Sequence, residues 1–212
     1  MVSLINITKY RKIMKQLFIL MILFFFTWTS QAKKNIYPFE IVVSLADVIV
    51  IGEIYEDFYS FQTSQILKGN VDKMLCIKKI DEWECDMRTV DYKKGQTLCL
   101  FLKNINDTLS IINGNTGEML ISEDSISIGE YEDYQQIKYK SQSNKLPLSE
   151  FVTGVKLFCK SFQYTGKDEL FYYEKPFKII GRQEYLKIFA DQSQFTKWLL
   201  TKLANYPILI VK

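Results

Sequence analysis

Carboxylates crowd one short stretch of this chain. Asp81, Glu82, Glu84 and Asp86 all fall within Asp81-Glu82-Trp83-Glu84-Cys85-Asp86. Oxygens at this density are the ligands that Ca2+ takes. The run lacks the Asp-x-Asp-x-Asp-Gly order by which one short loop wraps that ion, so a solvated loop is the simpler reading. A pair of carboxyls facing each other across a cleft would serve glycosidase-type hydrolysis. Such a pair could be drawn from this loop or from Glu53 and Asp57, but spacing along the chain does not show a cleft. Trp83 offers an aromatic surface to a ligand or partner; packing over the end of a barrel is its plainer use. Trp83, Glu82, Glu84 and Asp86 are therefore the candidate binding residues, with no catalytic residue, metal ligand or cofactor assigned.

The thiols and the missing imidazoles narrow the chemistry further. Cysteines stand at 76, 85, 99 and 159, and the chain has no histidine. Without histidine there is no Ser-His-Asp or Cys-His nucleophile and no His-ligated zinc. A cysteine-only metal site would need all four thiolates, and no Cys-x-x-Cys spacing exists. In an exported chain a disulfide is the expected use of cysteine. Cys76 to Cys85 would close about ten residues, worth about 2.7 kcal/mol, and Cys85 to Cys99 about fifteen, worth about 3 kcal/mol. Loop entropy does not separate the two. Cys99 lies inside Leu98-Cys99-Leu100-Phe101 and reads as a small core residue, so the expected pair is Cys76 and Cys85, with Cys99 and Cys159 as core thiols.

The N-terminus reads as a targeting signal. Lys9, Arg11, Lys12 and Lys15 precede the apolar run at 17–28, which is shorter than the roughly 20 residues of a membrane-spanning helix. Small residues at Ser30 and Ala32 complete a signal-peptidase pattern, so residues 1–32 are expected to be a signal peptide cleaved after Ala32. An uncleaved anchor is the alternative, and either Met1 or Met14 reads as a start. Of 27 basic side chains, removing these four leaves 23 against 24 acidic ones, a net charge of −1. The apparent basicity belongs to the signal. Nucleic-acid binding rests chiefly on an excess of Lys and Arg over phosphates, and none is expected here.

The elements that must position these residues follow from periodicity. Residues 46–55 form an apolar strand. Residues 59–69 alternate Tyr59, Phe61 and Thr63 against Ser60, Gln62 and Ser64, then slip at Ile66-Leu67 as a β-bulge would. Further strands are expected at 73–80 and 96–104, with shorter ones in Thr108-Leu109-Ser110-Ile111-Ile112, Glu118-Met119-Leu120-Ile121 and Ser125-Ile126-Ser127-Ile128. Val48-Ile49-Val50-Ile51-Gly52 is not a dinucleotide loop, because no second glycine follows and the next element has period two. Strand after strand without a crossover points to antiparallel pairing. The lead-in at 37–46 is either a short helix or extended. Residues 148–162 place Phe151, Val155, Phe158 and Phe162 on one helical face. A second helix starts at Ser193 as N-cap, carries Phe195, Trp198, Leu199 and Leu203 as its stripe, and stops before Pro207. Between these helices, residues 169–181 read as extended chain.

In order, Ala46-Asp47-Val48, Gly52, Phe61, Leu67-Lys68-Gly69, Cys85, Tyr92, Gly95, Leu98 and Phe101 form a pattern that resembles the bacterial branch of netrin-like domains. That group contains the tissue inhibitors of metalloproteinases, and the resemblance covers residues 46–103. It implies a five-stranded OB-type barrel and marks Asp47, Gly52, Lys68, Gly69, Cys85 and Gly95 as motif positions. The inhibitors chelate the protease zinc through a cysteine at mature residue 1. Here the expected first residue is Lys33, so that inhibitory wedge is absent.

The expected fold is mainly β with appended helices: an OB-type antiparallel barrel over 33–130, then a helical and extended segment at 131–212 packed on it. The expected function is that of an exported, secreted or periplasmic, non-enzymatic module that binds a protein or cell-surface component, with no stable membrane span after cleavage. A protease inhibitor acting through residues 81–88 and a carboxylate-dependent hydrolase are the alternatives.

Overall fold

The computed structural model describes residues 14, 37–56, 60–78, 92–129, 135, 138, 145–166 and 174–210. Two stretches apolar at nearly every position become strands buried on both faces: β1 (Val48–Ile54) and β4 (Thr97–Ile105). Side chains alternate across a strand, so Val48, Val50 and Ile54 of β1 and Leu98, Leu100 and Leu102 of β4 point one way. With Phe61, Leu75 and Ile77 they fill the inside of a barrel. Ile49, Ile51, Cys99 and Phe101 point the other way, into a larger core shared with the helices.

Three further strands complete the barrel: β2 (Ser60–Lys68), β3 (Met74–Lys78) and β5 (Thr108–Ile111). The order β1-β2-β3-β5-β4 closes because β1 also pairs with β4, Val48 opposite Leu102 through Glu53 opposite Thr97. This closed five-stranded barrel is compatible with an OB-like fold. The expectation of wholly antiparallel pairing needs one correction. β3 and β5 run parallel, Ile77 opposite Leu109 and Lys78 opposite Ser110. A closed ring with an odd number of strands cannot alternate direction at every seam, so one parallel seam is unavoidable.

The expected slip in β2 is present. Ile49 faces Lys68 and Val50 faces Ile66, which leaves Leu67 as the extra residue. A second bulge falls at Ser64, between the Ile51–Gln65 and Gly52–Thr63 pairs, and the Ser64 hydroxyl donates to the Ile51 carbonyl at 3.1 Å. Bulges sharpen local twist, which lets β2 follow the tight wall. At Gly52 the strands approach so closely that a Cβ would lie 2.1 Å from the Gln62 carbonyl oxygen.

A 3-10 turn (Gly114–Gly117) and β6 (Glu118–Ser122), β7 (Ser125–Ile126) and β8 (Leu146–Pro147) extend the sheet beyond β4. The lead-in resolves as helix α1 (Phe39–Leu45). α2 (Leu148–Ser161) buries Phe151, Val155 and Phe158, as its spacing predicts, and Phe162 opens β9 (Phe162–Tyr164). β10 (Phe177–Ile179) lies within the stretch read as extended. α3 (Gln183–Gln192) was not expected; only Phe189 on it is fully buried, so it carries little apolar stripe to read. α4 (Gln194–Leu203) starts at Ser193 as predicted, with a capping box in which Ser193 and Thr196 each take the other's backbone N–H. β11 (Ile208–Ile210) pairs parallel with β10, and β10 antiparallel with β9, in a separate small sheet.

Aromatic rings join the helices to the barrel. Phe39 of α1 lies 5.8 Å, centroid to centroid, from Phe101 of β4, 6.2 Å from Phe151, 6.0 Å from Phe195 and 5.9 Å from Trp198. The Glu150 carboxylate of α2 accepts the Phe195 N–H at 3.1 Å, at the positive end of α4. Residues Asn35–Lys212 form one compact unit, and β7 of the barrel half pairs with β8 of the C-terminal half. No described helix is long and apolar enough to cross a membrane.

Candidate functional site

Asp47, Lys68, Gly69 and Gly95, four of the described motif positions, are spent on architecture. Lys68, at the end of β2, donates its ammonium to the Val43 and Ser44 carbonyls at 3.1 and 2.9 Å. These are C-terminal carbonyls of α1, otherwise without helical partners, and a cation there also meets the negative end of the helix dipole. Burial pushes the Lys68 pKa below 10.5, against the opposing charges of Cys159 and Asp47. The Asp47 carboxylate accepts the Asn104 N–H at 2.9 Å, and its own N–H donates to the Leu102 carbonyl at 2.8 Å. Gly69 turns with φ +81°, where a Cβ would sit 2.6 Å from the Asp47 carbonyl oxygen. Asp47, Lys68 and Gly69 thus tie the end of α1, the start of β1 and the end of β2 into one junction.

Gly95 does similar work at the other end of the barrel. It takes φ +78° in the turn Lys93–Gln96, which closes through Gln96 N–H to the Lys93 carbonyl at 3.0 Å. Positive φ at the third position is what a type II turn requires. The Gly95 N–H then donates to the Ile54 carbonyl at 2.8 Å, pinning the turn to β1.

The described thiols are free, and two of them are held protonated. Cys99 is fully buried, and burial pushes its pKa far above the usual 9.0. Burial pushes the Cys159 thiol up to about 11, with the Lys68 charge opposing. Neither is a nucleophile near neutral pH, since the thiolate is the reactive form. Cys76 is a free, exposed thiol on β3. Its expected partner Cys85 lies outside the described residues, as do Trp83, Glu82, Glu84 and Asp86. Among the described residues one carboxylate is deeply buried: Glu40, 1% exposed, accepts the Tyr206 hydroxyl at 2.8 Å and joins α1 to the chain following α4. Among the described residues no group of three or more His, Cys, Asp or Glu could hold a metal ion.

Among the described residues, exposed side chains gather on the outer face of β2 and β3 and at the Glu53 end of β1. Register aligns Glu53, Gln62 and Met74 across the three strands, and Ser60 with Cys76 beside them. Tyr55, just beyond β1, joins the second row through its N–H to the Ser60 carbonyl at 2.9 Å. Tyr55 is 45% exposed and Met74 46%, while Glu53, Cys76 and Lys78 are also exposed. The Lys94 ammonium stands 5.7 Å from the centre of the Tyr55 ring, a cation–π distance. This face therefore offers an aromatic ring, a flexible thioether, an amide and charges of both signs.

Of the residues singled out in the sequence, Cys76 and Glu53 lie on these rows, while Gln62 and Met74 carried no motif. The signal that could have found them was alternation: if Phe61, Leu75 and Ile77 point inward, Gln62, Met74 and Cys76 must point outward. Met74 then stands out as an apolar side chain at a solvent position. Comparison with known proteins finds no matching family model, no matching curated protein and no matching solved structure.

Proposed function

We propose that this chain is an exported, non-enzymatic binding module of netrin-like type, which engages a protein or cell-surface partner through the outer wall of β1–β3. The observation that carries the reading is the exposure of Met74, at the end of the register-aligned Glu53–Gln62–Met74 row, and of Tyr55 in the neighbouring Ser60–Cys76 row. Aromatic side chains and Met are enriched at interface centres, and a flexible Met adapts to an irregular surface. The strand 2–3 face is the one OB-type barrels commonly use for ligands, a support at the level of fold analogy. Export rests on the signal pattern ending at Ala32. A net charge of −1 after that point favours a protein or surface component over a polyanion.

Site-specific photo-crosslinking in the producing cell tests this reading. Benzoylphenylalanine in place of Tyr55 or Met74 should give one discrete adduct outside the cytoplasm, and Gln62→Arg should abolish it. The same probe at the exposed Ile188 of α3 should give none. No adduct from the barrel wall, or equal adducts from Ile188, would overturn the proposal. So would turnover of a substrate by the purified protein that is lost on replacing one carboxylate.

A further inference from the structure

We draw no further inference here: the strongest candidate, the outer edge of the small C-terminal sheet where Ile208 and Leu209 of β11 stand exposed, carries nothing because nothing in the structure shows what covers it.

Discussion

Replacing Phe39 by Ala should loosen the helices from the barrel more than any other single truncation in α1. Phe39 is only 3% exposed and its ring meets four others, one on the barrel and three on α2 and α4. Truncating a buried Phe costs about 3–5 kcal/mol. Aromatic pairs add roughly 0.5–1.5 kcal/mol each beyond area burial, which places this site toward the upper end, near about 4 kcal/mol. A domain with about 5–15 kcal/mol of total stability would lose a large share of it. Urea unfolding of residues 33–212, followed by the fluorescence of buried Trp198, reads the effect directly. With a slope of about 2 kcal/mol per molar, the midpoint should fall by roughly 2 M. Phe39→Leu keeps apolar bulk and should lose less than half as much. A loss under about 1.5 kcal/mol for Phe39→Ala would refute the idea that this ring joins the two layers. Two separated transitions in the wild-type protein would refute a single shared core.

Three glycines make a graded test by thermal unfolding. Gly52→Ala puts a Cβ 2.1 Å from the Gln62 carbonyl oxygen and should cost more than about 3 kcal/mol, while Gly95→Ala meets nothing but its φ of +78° and should cost about 1 kcal/mol. Gly129→Ala enters open space without that φ and should be close to neutral; equal losses at all three would sink the argument. Gly154→Ala would bring a Cβ to 2.6 Å from the Phe195 ring and should cost about 1–3 kcal/mol by forcing α2 and α4 apart, whereas a stabilised variant would mean that the helices have slack. Cys159 has a folded pKa of about 11 against 9.0 unfolded, so its contribution is present below pH 9 and is lost as pH rises through 11, roughly 3 kcal/mol in all. Lys68 acts with the opposite sign, since its lowered pKa makes the unfolded chain the better proton binder below 10.5. Stability measured at pH 8 and pH 10.5 should therefore fall less in Cys159→Ala than in wild type; parallel slopes would count against a buried thiol.

The motif positions show why a sequence pattern can be legible while its meaning is not. Asp47, Gly52, Lys68, Gly69 and Gly95 stand out in the chain through their order and spacing. A lysine at a strand end ordinarily reads as a solvated charge. Its partners here, the carbonyls of Val43 and Ser44, lie 25 and 24 residues away and become neighbours only once α1 folds against β2. Alternation along the expected strand at 73–80 would have set Met74 opposite to Leu75 and Ile77, which fill the barrel. Met74 carried no motif to draw notice.

Local periodicity was enough for the elements whose two faces meet different surroundings. The slip at Leu67, the buried stripe of α2 and the Ser193 cap of α4 each rest on residues within a few positions of one another, and each is where the pattern placed it. Strands apolar on both faces, as in β1 and β4, also announce that something must cover the barrel. Pairing is another matter, because it joins positions that no short window contains. The closure of β1 on β4, the parallel β3–β5 seam, the meeting of Phe177 with both Tyr164 and Ile208, and the Glu40–Tyr206 bond across 166 residues are decided only in three dimensions. α3 belongs with them: with Phe189 as its one fully buried residue, it is held by its neighbours rather than by a pattern of its own.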